Sequence, residues 1–63
     1  MSPVEAKFLA CRAAAVMQNA RRKPECAQAA RNFLILAAKY AERCGQAWLA
    51  EKCKGYQKSI LGL

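Results

Sequence analysis

An all-α fold is predicted for this 63-residue chain, in the form of a small antiparallel three-helix bundle spanning residues 1–63 as a single domain. Three observations predict it. Apolar residues recur at alternating steps of three and four, and proline and glycine punctuate the chain at helix-length intervals. β-branched residues are few, and no apolar/polar alternation persists long enough for a strand.

The first helix is expected over about residues 3–21. Ser2 suits the cap, Pro3 the first helical position, and Glu5 the far half of a capping box. Val4, Phe8, Cys11 and Ala15 lie on one line of this helix, and Leu9, Val16 and Ala20 lie on another. Glu5, Arg12 and Asn19 fall between the two lines. That split implies two contact surfaces, one within the chain and one in a partner.

Pro24 biases Lys23 away from helical geometry and opens a second helix over 24–44. Its seam is Cys26, Ala30, Phe33, Ala37, Tyr40 and Cys44, a heptad pattern. Ala27, Ala29, Leu34, Leu36 and Ala41 flank the seam on both sides, as suits a central helix touching two neighbours. Gly45 is the expected left-handed stop. A third helix over 46–61 continues the pattern with Leu49, Cys53, Tyr56 and Ile60, extended by Leu63.

A domain of roughly 60 residues hides only about 60% of the surface its unfolded chain exposes. Apolar residues make up 56% of this one, but fourteen residues are alanine, which contributes little buried area. Such a core is expected to need help from self-association, as in a dimer, or from a bound partner.

Eleven Lys and Arg stand against four acidic residues, with no His, for a formal charge of +7. That excess attracts polyanions. The leading reading is a small, basic, non-enzymatic regulatory or adaptor protein that binds a macromolecular partner, foremost a protein, through a basic and partly apolar helical face. The contact set is Ile35, Lys39, Arg43, Trp48 and Lys52. Ile35 falls between Arg31 and Lys39 on the polar side of helix two, and Trp48 falls opposite Leu49 and Tyr56 on helix three. A plainer account of Trp48 has it folding over the turn between helices two and three.

The alternative reading is nucleic-acid binding through phosphate contacts from Arg21, Arg22, Lys23, Arg31, Lys39 and Arg43. Ala41 and Gly45 have the spacing of a helix-turn-helix, but Glu51 stands where that motif wants an apolar residue. A third reading is a cationic membrane-active peptide. Against it, the helix faces have modest amphipathic contrast, and the longest apolar run, Phe33 to Ala38, is far short of the ~18–20 residues a spanning helix needs.

Catalysis is not expected, because the chain has no His and no Asp and its glutamates each have a local explanation. Cys26, near Arg22 and Lys23, has the best electrostatic setting for a reactive thiolate. No cofactor, no small-molecule substrate and no metal are expected. Zinc needs four converging ligands, and Cys26 and Cys44 sit at opposite ends of one helix. Cys11 and Cys53 fall at a similar height, so they are the one pair for which a disulfide is open. Otherwise the cysteines serve as small reduced hydrophobes. Met1 to Glu5 shows neither a charged n-region nor an apolar h-region, which makes a cytoplasmic location the expectation.

Overall fold

A computed structural model describes residues 1–62; Leu63, the last position of the expected third seam, lies outside the described residues. The fold is a small all-α domain of three helices: α1 (Pro3–Arg22), α2 (Ala27–Arg43) and α3 (Ala47–Leu61). No strand occurs among the described residues. The domain measures 32 × 17 × 14 Å, and each pair of helices is in contact, with the α2/α3 interface the largest.

Local chemistry accounts for the helix ends. The Glu5 backbone N–H donates to Ser2 Oγ at 3.2 Å, and Pro3 occupies the first turn. Lys23 takes an extended conformation, φ −128° and ψ 90°, as a residue before proline should. One correction follows. Pro24–Cys26 form a single 3₁₀ turn, so the α-helical part of the second helix begins at Ala27 rather than at Pro24.

At the far end, Gly45 adopts φ +75°. Its N–H donates to the Glu42 carbonyl at 3.1 Å, and the Gln46 N–H donates to the Ala41 carbonyl at 2.8 Å. These two bonds are a Schellman motif, which requires a left-handed residue and therefore favours glycine. The third helix starts at Ala47, one residue later than its pattern implied.

Alanine dominates the interior. Of the thirteen buried apolar residues, eight are alanine: Ala6, Ala13, Ala20, Ala30, Ala37, Ala38, Ala41 and Ala50. The largest fully enclosed side chains are Leu34, Leu49 and Cys53, one from α2 and two from α3. Between α2 and α3, Gln57 Nε2 donates to the Leu34 carbonyl at 3.4 Å. Lys54 Nζ pairs with the Glu42 carboxylate at 2.6 Å on the surface. That partner raises the Lys54 pKa, first through the hydrogen bond and then through its charge.

Helix α1 buries its Leu9/Val16/Ala20 side and leaves Val4, Phe8, Cys11 and Ala15 exposed. Helix α2 is rotated relative to its expected seam. Leu34, Ala38 and Ala41 go inside, while Leu36 and Tyr40 are exposed.

Two stability outcomes follow. Leu34→Ala is expected to cost about 3 kcal/mol and Leu36→Ala within about 0.5 kcal/mol, in urea denaturation followed by circular dichroism. Gly55 is exposed in the interior of α3, with nothing within 4 Å of an added Cβ. Gly55→Ala is therefore expected to stabilise by about 0.5–1 kcal/mol in the same measurement.

Candidate functional site

Helix α2 turns one face outward along its C-terminal half. Positions 36, 39, 40 and 43 are three or four apart and so form one surface patch. Leu36 is 67% exposed and Tyr40 53% exposed, with Lys39 and Arg43 exposed beside them. Cys44, one turn beyond Tyr40, raises the phenol pKa, first through the negative charge of its thiolate form and then by hydrogen bonding. Burial and the Glu5 carboxylate on α1 add smaller contributions in the same direction. The patch thus joins two apolar side chains to two fixed cations on a rigid helix.

Of the contact set read from the sequence, Lys39 and Arg43 are exposed on this face, Ile35 is half-buried, and Leu36, outside that set, is the exposed apolar residue beside them. Ile35 lies on the flank of α2 that also carries Arg31, Ala38 and Glu42, and Glu42 reaches across to α3.

Trp48 and Lys52 are both exposed on α3 rather than on α2. Trp48 lies half a helical revolution from Gln57, the α3 residue bonded to α2, so it faces away from α2. Its Nε1–H donates to Gln46 Oε1 at 2.9 Å, which ties the indole to the α2–α3 turn while leaving it 47% exposed.

The six residues assigned to phosphate contacts separate into two groups. Arg21, Arg22 and Lys23 are exposed together at the end of α1, and Arg31 is half-buried. Lys39 and Arg43 lie toward the opposite end of the 17-residue α2, which is roughly 25 Å long at 1.5 Å per residue. No single basic surface contains all six.

The cysteines are all free. The Cys11–Cys53 pairing left open by the sequence is not formed: Cys11 is exposed on the outer face of α1 while Cys53 is fully enclosed in the core. The two thiols differ in environment, one facing solvent and the other the core. Burial raises the Cys53 pKa above the ordinary thiol value. Cys26 is half-buried and borders a shallow groove of about 220 Å³ with Val16, Asn19, Ala29, Ala30 and Phe33. Among the described residues no three His, Cys, Asp or Glu side chains converge as a metal site would require. None of the described helices is long and apolar enough to cross a membrane.

Compared with known protein families, with characterised proteins and with solved structures, the chain matches none.

Thiol labelling tests this placement. With Ellman's reagent, Cys11 is expected to react fast and Cys53 only on unfolding. The raised Cys53 pKa favours the protonated folded state. Its stabilisation is complete below about pH 8.5, where the unfolded thiol begins to ionise, and is lost as pH rises through the higher folded value. Cys53→Ala should remove that alkaline fall in urea midpoint.

Proposed function

We propose that this protein is a small, non-catalytic binding module whose α2 face of Leu36, Lys39, Tyr40 and Arg43 docks an acidic, amphipathic segment of a partner protein. A single observation carries the reading: two large apolar side chains stand exposed beside two cations on a rigid helix. Apolar anchors rimmed by charge are the composition of recognition hot spots. The surplus of seven positive charges favours a partner of opposite sign and speeds its encounter. A regulatory or adaptor role in the cytoplasm accords with a chain that offers a surface rather than a catalytic constellation.

Nucleic acid is the competing partner, favoured by the exposed Arg21–Arg22–Lys23 cluster at the end of α1. The two readings make different demands on the same experiment. Affinity capture from the native host, with and without nuclease, is performed on the wild type and on Leu36→Glu, Arg43→Glu and Arg22→Glu variants. Protein docking predicts a nuclease-resistant partner whose affinity falls at least about tenfold in Leu36→Glu, as hot-spot substitutions do. Arg43→Glu should weaken it less, and Arg22→Glu should leave it unchanged. Capture that is abolished by nuclease and by Arg22→Glu, and that weakens steeply with salt, would replace this reading with the nucleic-acid one.

A further inference from the structure

The outer face of α1 carries its own pattern on a different helix from the α2 patch, with Glu5 at its edge within electrostatic reach of Tyr40. Val4, Phe8, Cys11 and Ala15 step by four, three and four, which is a heptad seam, and all four are exposed. Val4 is 62% and Phe8 68% exposed, so the described residues leave both largely uncovered. Val4, Lys7, Phe8 and Cys11 line a shallow depression of about 230 Å³. Their spacing, i, i+3, i+4 and i+7, is that of the four residues forming the hole that receives a knob from a facing helix.

We propose that this seam docks a second copy of the chain, with the two α1 helices antiparallel and the two-fold axis passing between the levels of Leu9 and Ala10. Size complementarity selects this register. It places Phe8 against Cys11 of the second copy and Val4 against Ala15 of the second copy, large on small at every layer. A parallel pairing stacks Phe8 on Phe8 and leaves Ala15 facing Ala15.

Charge selects the same orientation. The residues flanking the seam are Lys7 on one side and Glu5 and Arg12 on the other. In a parallel pair Lys7 would oppose Arg12 of the second copy, five residues on, twice over. In the antiparallel pair Glu5 opposes Arg12 of the second copy, also twice, while Lys7 opposes the uncharged Ala14.

The seam is two heptads long, so the buried area falls below the ~800 Å² per partner of a standard interface, in the range of weak reversible association. The net charge of +7 on each copy acts against dimerisation, and salt screens that repulsion. Dimerisation is therefore expected to persist or tighten as salt rises, the reverse of binding to an acidic partner or to nucleic acid.

Sedimentation equilibrium at protein concentrations up to about 0.5 mM, suited to weak interfaces, tests the proposal. The wild type is expected to associate reversibly to a dimer. Phe8→Ala should weaken it at least tenfold at unchanged far-UV circular dichroism, because Phe8 is exposed in the monomer. Arg12→Glu should also weaken it, by setting like charges opposite each other, and the double variant Glu5→Arg with Arg12→Glu should restore it. Leu36→Glu, on the α2 patch, should leave the dimer intact, which separates this interface from the docking site proposed above. A chain that stays monomeric throughout the range, or a dimer indifferent to Phe8→Ala, overturns the proposal. Failure of the charge swap to rescue would overturn the antiparallel register.

Discussion

Close approach of helices through alanine is the constraint on which the rest of this structure depends. Eight of the thirteen buried apolar residues are alanine, which lets helix axes pack near the short end of the usual 8–10 Å range. Small side chains fill such an interface fully but remove little apolar area from water. Leu34, Leu49 and Cys53 are the only fully enclosed larger side chains among the described residues. A Phe or Tyr at one of the alanine positions would force the axes apart. The larger hydrophobic residues have correspondingly moved outward, and Val4, Phe8, Leu36, Tyr40, Trp48 and Leu61 are all exposed.

The same constraint links stability to binding. A domain that keeps its larger apolar groups outside gains from covering them, because that burial adds hydrophobic free energy that the small core forgoes. The α1 seam and the α2 patch are two such surfaces, and they differ in chemistry. The seam runs from two larger residues, Val4 and Phe8, to two smaller ones, Cys11 and Ala15, with one acid and two bases at its edges, which suits an antiparallel copy of itself. The patch pairs Leu36 and Tyr40 with Lys39 and Arg43, which suits an acidic complement. Both lie on helices rather than loops, so their side chains are presented with little ordering cost on binding.

Polar contacts position the helices more than they stabilise them. The Lys54–Glu42 pair is solvent-exposed, and pairs of that kind contribute little. The Gln57 bond to the Leu34 carbonyl sets the height of α3 against α2, since it joins a side chain to a backbone oxygen next to a fully buried leucine. Together with the Schellman turn at Gly45, it holds α3 in one register on α2. No buried side-chain polar atom lacks a partner among the described residues, so the small core carries no such penalty.

By itself the sequence determined the class of fold, the three helices and most of their ends, because those features arise from interactions within a few residues. Ser2, Pro3, Pro24 and Gly45 act on their immediate backbone whatever the rest of the chain does. That α1 carries two separate apolar lines was also legible, but only the packed bundle decided that Val4, Phe8, Cys11 and Ala15 form the exposed one. The rotation of α2 was decided only by tertiary packing. Periodicity orders side chains around a helix but does not say which of them points at a neighbour, and with alanine on several sides the apolar sector of α2 was too broad to choose. The outcome put Leu34 inside and Leu36 outside, and left Ile35 half-covered. On α3, Trp48 is tied to Gln46 at the α2–α3 turn. Likewise, only the packed bundle put Cys53 in the core and left Cys11 on the surface.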